Sequence, residues 1–173
     1  MFSKGQKKII CKQNKETYKI EIIGADYESG KDMEIIMDFI KKLSLGKKIF
    51  ITTLGNIKTL DTNAIISLKK NPAYGTPTTI ELEITPDKIN AIEPLFHNIY
   101  SNIYIFEQSM SWSDFLEIRR VSSYFKIGEL TACIHLHDLD STWINLSKNQ
   151  NIYMEELFYQ LQIEQYSIKR KDI

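Results

Sequence analysis

Two cysteines in 173 residues, Cys11 and Cys133, are too few and too far apart for a disulfide framework. Both stand in apolar, strand-like surroundings, so buried thiols in a reducing cytoplasm are expected, with a reactive thiol as the alternative. Neither charge is in excess: Lys+Arg and Asp+Glu both number 22. That balance argues against a generally basic nucleic-acid binder and against a strongly acidic nucleic-acid mimic, while leaving room for a local patch. No apolar run is long enough to cross a bilayer, and the basic residues 1–8 are not followed by a signal-peptide stretch, so no membrane partner is expected. The seven glycines supply no phosphate-cradling loop, because residues 24–30 lack the lysine–serine/threonine sequel. Catalytic signatures are missing too, which points to a non-enzymatic protein without a cofactor.

What is present is ordinary material for a folded core, with 43% hydrophobic and 25% charged residues. Met33, Ile36, Met37, Ile40 and Leu43 recur every three or four residues, as one buried helix face requires, and Gly46 ends that helix. Ile49, Phe50 and Ile51, followed by Thr52 and Thr53, read as a strand, with Gly55-Asn56 as a turn. Asp61 or Thr62 can cap a second helix carrying Ala64, Ile65 and Leu68, which Asn71-Pro72 stops. Ile80, Leu82 and Ile84 alternate with Glu81 and Glu83, placing apolar side chains on one face of a strand and two carboxylates in water. Thr85-Pro86-Asp87 starts a further helix with Ile89, Ile92, Phe96 and Ile99 on its apolar face.

Ahead of this stretch, residues 8–12 and 18–23 read as a hairpin. Beyond it the order begins again: a strand at 103–106, a helix at 112–125 capped by Ser111 or Ser113, and a strand at 130–136. A polar turn at Asp138-Leu139-Asp140-Ser141 leads to a return strand at 142–146, a helix capped by Asn149 or Asn151, and a strand-like close at 163–168 before a charged tail. The expected class is α+β, as two successive βαββαβ (split βαβ, ferredoxin-like) units whose antiparallel sheets carry helices on one face. One unit would span residues 1–100, with an extra N-terminal strand, and the other 101–173, packed on the first.

Residues 30–99 resemble the HPr phosphocarrier family through Phe39-Ile40-Lys41, the strand at 49–53, Asn63-Ala64-Ile65 opening the second helix, Gly75 before Thr79-Ile80, and Ala91 and Leu95. That family carries phosphate on a histidine within Gly-Leu-His-x-Arg-Pro, at a helix start whose amides stabilise the anion. This chain has Gly30-Lys31-Asp32-Met33-Glu34-Ile35. Asp32 stands at the acceptor position and Glu34 at that of the arginine, and Asn63 occupies the place of the regulatory serine. The resemblance implies an HPr-like scaffold that docks other proteins without phosphoryl transfer.

His135-Leu136-His137-Asp138, with Asp140, is the cluster with metal-ligand residue types. Two histidines at strand spacing share a face and could reach one Zn or Ni ion, with Asp138 or Asp140 as an oxygen ligand. Alternatively the histidines line the solvent face while Ile134 and Leu136 face the core. Cys133 and His135 share a face as well, but two residues along a strand is too far for a direct hydrogen bond without distortion, so packing is expected. His97 reads as a surface histidine. Arg119 and Arg120 share a helix with Trp112 and Phe115, and Trp143 lies beyond; Arg and Trp are enriched where proteins bind each other. A solvated helix face with local ion pairs is the alternative. Tyr124, Phe125, Trp143, Tyr153, Phe158, Tyr159 and Tyr166 exceed what a thin sheet-and-helix layer must bury. Lys47, Lys48, Lys69 and Lys70 are interspersed with acids, against a nucleic-acid face. The expected function is therefore a cytoplasmic protein-binding module, in its most specific form a bacterial immunity protein that occludes a toxin. The alternatives are a degenerate HPr-like regulator and a metal-binding protein or enzyme using His135 and His137.

Overall fold

The computed structural model describes residues 7–13, 17–25, 31–54, 57, 60–71, 79–97, 100–120, 130–137, 141–161 and 167–170. Its strands are β1 (Lys8–Gln13), β2 (Thr17–Ile23), β3 (Lys48–Leu54), β4 (Ile65–Asn71), β5 (Thr79–Ile84), β6 (Tyr100–Phe106), β7 (Leu130–His137), β8 (Ser141–Ser147) and β9 (Ser167–Arg170). The α-helices are α1 (Lys31–Ser44), α2 (Trp112–Arg120) and α3 (Asn151–Gln160), and 3₁₀ segments run over Thr62–Ala64, Pro86–His97 and Lys148–Gln150. The class is mixed helix and strand around one open sheet, ordered β4-β5-β3-β6-β7-β8-β2-β1-β9. Every neighbouring pair is antiparallel except β1 with β9.

Strand alternation gives the sheet two faces of different character. Ile20, Ile22, Ile49, Ile51, Ile103 and Ile134 belong to the larger core on the first face, which α1, α3 and the Pro86–His97 segment cover. All five apolar residues expected on the α1 stripe are buried there. Lys42 pairs with Glu156 to tie α1 to α3, and Lys7 Nζ sits 2.6 Å from the buried Asp32 carboxylate. Asp32, at the acceptor position of the phosphocarrier resemblance, is thus closed under an ion pair. The second face carries a smaller core of Phe50, Tyr104, Phe106, Met110, Phe115 and Cys133, roofed by α2.

Several expectations are corrected by this arrangement. Strands from both sequence halves share one sheet, with β3 beside β6 and β2 beside β8, so two successive sheets are not formed. Helices lie on both faces, because α2 packs on the face opposite α1. The helix expected after Asp61 is a single 3₁₀ turn, capped as anticipated by Asp61 Oδ1 accepting from the Asn63 amide at 3.0 Å, and Ile65 then enters β4. Ile65 and Ile66 are β-branched and favour the strand, while a one-residue irregularity between Ile65 and Ser67 resets the alternation. Glu81 and Glu83 are not in water: they are 4% and 9% exposed. The closing strand is Ser167–Arg170, so Lys169 and Arg170, expected in the tail, belong to the sheet.

Candidate functional site

α2 begins where sequence placed it, since Ser111 Oγ accepts from the Asp114 amide at 3.0 Å, capping the first turn. It lies on the sheet through Phe115, whose ring stacks on Phe50 with centroids 4.5 Å apart and planes at 8°. Tyr104 and Phe106 flank the same ring at 5.7 Å and 6.3 Å, and Trp112 meets Phe50 at 6.1 Å. Phe115, expected to anchor a partner, is therefore fully buried and serves the core. The half-buried Trp112 also packs inward. The Arg119 and Arg120 side chains lie outside the described residues.

Beside this cluster the register lines up polar residues across neighbouring strands. Thr52 pairs with Asn102, Asn102 with His135, and His135 with Trp143. Cys133 Sγ lies 3.3 Å from His135 Nε2, the direct contact that strand spacing argued against. His135 Nδ1 lies 2.5 Å from Asn102 Oδ1, and Asn102 Nδ2 donates to Thr52 Oγ1 at 3.3 Å. An amide oxygen only accepts, so Nδ1 carries the hydrogen and Nε2 accepts from the thiol. The result is one directional chain, Cys133 to His135 to Asn102 to Thr52.

A cysteine, a histidine and an amide in contact invite comparison with a nucleophilic triad, but the surroundings work against attack. Cys133 is 1% exposed, and burial pushes its thiol well above the usual range, holding it protonated. Burial also lowers the His135 pKa, keeping the ring neutral. Both ring nitrogens are engaged, so a metal at His135 would have to break one of these bonds. Among the described residues no three His, Cys, Asp or Glu side chains converge on a metal position. Asp138 and Asp140 lie outside the described residues, as do the side chains of His137 and His97. Cys11 is a free, buried thiol in contact with Met154, its Sγ 4.0 Å from the thioether sulfur.

Among the described residues, α2 is the helix that roofs the second face. Away from α2, Trp143 on β8, Tyr100 on β6 and Ile23 on β2 are 44%, 42% and 36% exposed. The register puts all three on the side of Asn102 and His135. Of the other aromatics expected at an interface, Phe158 is buried in the larger core and Tyr153 packs against it, whereas Tyr159 on α3 stands in solvent. Tyr124, Phe125 and Tyr166 lie outside the described residues. Sequence reading missed Asn102 and Thr52; an asparagine inside an otherwise apolar, aromatic strand was the available signal. No helix among the described residues is long and apolar enough to cross a membrane. No family model, curated protein or solved structure matches the chain.

Proposed function

We propose that the chain is a cytoplasmic binding protein that seats another protein on the uncovered part of the sheet's second face, centred on Trp143. The observation that carries this reading is the exposure of Trp143, Tyr100 and Ile23 on one side of a rigid sheet. Large apolar side chains held by strands offer contact area at little entropic cost, and tryptophan is prominent among residues that dominate binding energy. The chemistry beside the patch supports the same reading, because the Cys133–His135 pair has its thiol buried and protonated. In its specific form the partner is a toxin, neutralised by occlusion.

A photo-crosslinking residue at position 143, introduced in cells that make the chain and their neighbouring genes, tests this directly. A discrete cross-linked protein is expected. With that protein purified, Trp143→Ala should weaken binding about thirtyfold, the effect of losing about 2 kcal/mol at a hot spot. Absence of any adduct, or affinity unchanged by Trp143→Ala, would overturn the reading.

A further inference from the structure

We infer that the face around Trp143 takes up its partner only while the His135 ring is uncharged, and that Asn102 is the residue that leaves the ring without a countercharge. This inference rests on the binding reading above and adds to it a control by protons.

His135 is the cross-strand neighbour of Trp143. Residues directly opposite on antiparallel strands have Cβ atoms about 5 Å apart, so a surface seated on the Trp143 indole also closes over the imidazole. The ring is half-buried before any partner arrives. Its hydrogen bonds are fixed from both sides. Nδ1–H donates to Asn102 Oδ1, and Asn102 is itself oriented by donating to Thr52 Oγ1 at 3.3 Å. Nε2 accepts from the Cys133 thiol at 3.3 Å. A second proton would have to enter at Nε2, where a hydrogen already lies between the nitrogen and Sγ. The thiol would then have to turn and offer its sulfur, a weak acceptor.

The neighbouring elements supply no compensation for a charged ring. Strands β6, β7 and β8 contain no Asp, Glu, Lys or Arg. The titratable groups beside His135 on this face are Tyr100 and Tyr104 on β6 and Cys133 on β7, and the His137 side chain lies outside the described residues. From above, α2 turns Trp112, Phe115 and Leu116 to the sheet, while its Asp114 and Glu117 are exposed. Along the row of His135 the carboxylates are Glu21, past Trp143 on β2, and Glu81, past Asn102 and Thr52 on β5. At a strand spacing of about 4.8 Å their backbones lie roughly 10 and 14 Å away.

A partner that displaces the remaining water would leave an imidazolium both unpaired and desolvated, a costly state. Burial alone already lowers the pKa of the ring, and a covering partner adds to the same effect. Proton binding and partner binding therefore oppose each other by the same factor. The partner binds fully above the folded-state pKa of the ring and is released as pH falls through it.

The test uses the full chain with isotope-labelled histidine and, as ligand, the purified protein cross-linked at position 143. In the free chain the ring nitrogens should report the Nδ1–H tautomer at pH 8 and a titration midpoint below about 6.5. The dissociation constant measured from pH 8 to pH 5 should stay level and then rise, approaching about tenfold per unit below that midpoint. Circular dichroism at each pH confines the comparison to folded protein. His135→Gln should flatten the profile. Asn102→Asp supplies the countercharge, so the ring midpoint should rise above about 6.5. Its loss of affinity in acid should disappear, because an imidazolium–carboxylate pair carries no net charge.

An Nε2–H tautomer, or a midpoint at or above about 6.5 in the native chain, overturns the inference and leaves the binding reading standing. Affinity that ignores pH, or that falls as steeply for His135→Gln, does the same. Affinity that strengthens in acid also overturns it, and assigns to the partner a carboxylate over the ring. No adduct at position 143 removes the binding reading, and the inference with it.

Discussion

His135 occupies a half-buried position in which both nitrogens are used, and its protonation is incompatible with the chain it belongs to. Protonated, it would donate at Nε2 as well, and Cys133 would have to accept where it now donates. Burial lowers the folded-state pKa below the ordinary value of about 6.5. As pH falls through about 6.5 the unfolded chain therefore gains a proton that the folded chain refuses, and stability is lost until the folded pKa is reached. Denaturation midpoints measured from pH 8 down to pH 5 should fall for the native protein. For His135→Gln, which has no titrating ring, the fall should be shallower; equal slopes would show that the ring protonates freely in the fold. The ingredients of this chain were visible in sequence as Cys133 and His135, two residues apart. Its geometry was not, because Asn102 is supplied by β6 and only the β6–β7 register brings it opposite His135.

Elements governed by local signals were legible, and those governed by tertiary competition were not. The α1 stripe, the Ser111 cap and the alternation of Ile80, Leu82 and Ile84 each depend on nearby residues, and each stands as read. The stretch after Asp61 carries a good cap and a helix-like spacing. Even so, the segment pairs along β5 and leaves Ile66 and Leu68 exposed at the sheet edge. The carboxylates of Glu81 and Glu83 were misplaced for a related reason, since alternation gives the parity of a strand but not whether its second face is covered. Gly46 shows how much a local signal contributes. It ends α1 with φ of 67°, a Cβ there would meet nothing within 4 Å, and the Lys47 amide closes the turn onto the Ser44 carbonyl at 2.9 Å. Gly46→Ala therefore pays only backbone strain, about 1 kcal/mol, and Gly46→Asn should lose less, because asparagine tolerates the left-handed region. Urea titration checks both; a loss well above 2 kcal/mol for alanine would mean that packing, and not conformation, selects the glycine.

At the scale of the whole molecule the strand order interleaves the two halves of the sequence. Residues 1–99 contribute β4-β5-β3 at one side and β2-β1 at the other, and β6-β7-β8, from Tyr100 onward, fill the gap between them. Among the described residues β9 pairs with β1 alone, so the last strand is held by the first. Separated at residue 100, the first half would hold two groups of strands with no shared neighbour, and the second a three-stranded ribbon with α2 above and no α1 beneath. Each half would expose apolar strand faces that the other half and its helices cover, which leaves too little buried surface for independent stability. The intact chain should therefore unfold in one calorimetric transition, with van't Hoff and calorimetric enthalpies equal, although at 173 residues it is longer than most two-state proteins. Fragments 1–100 and 101–173 should each lack a cooperative transition by circular dichroism, and mixing them should restore one. Two resolved transitions in the intact chain, or a cooperative 101–173 fragment, would show that the halves are separate folding units joined only through their paired edges.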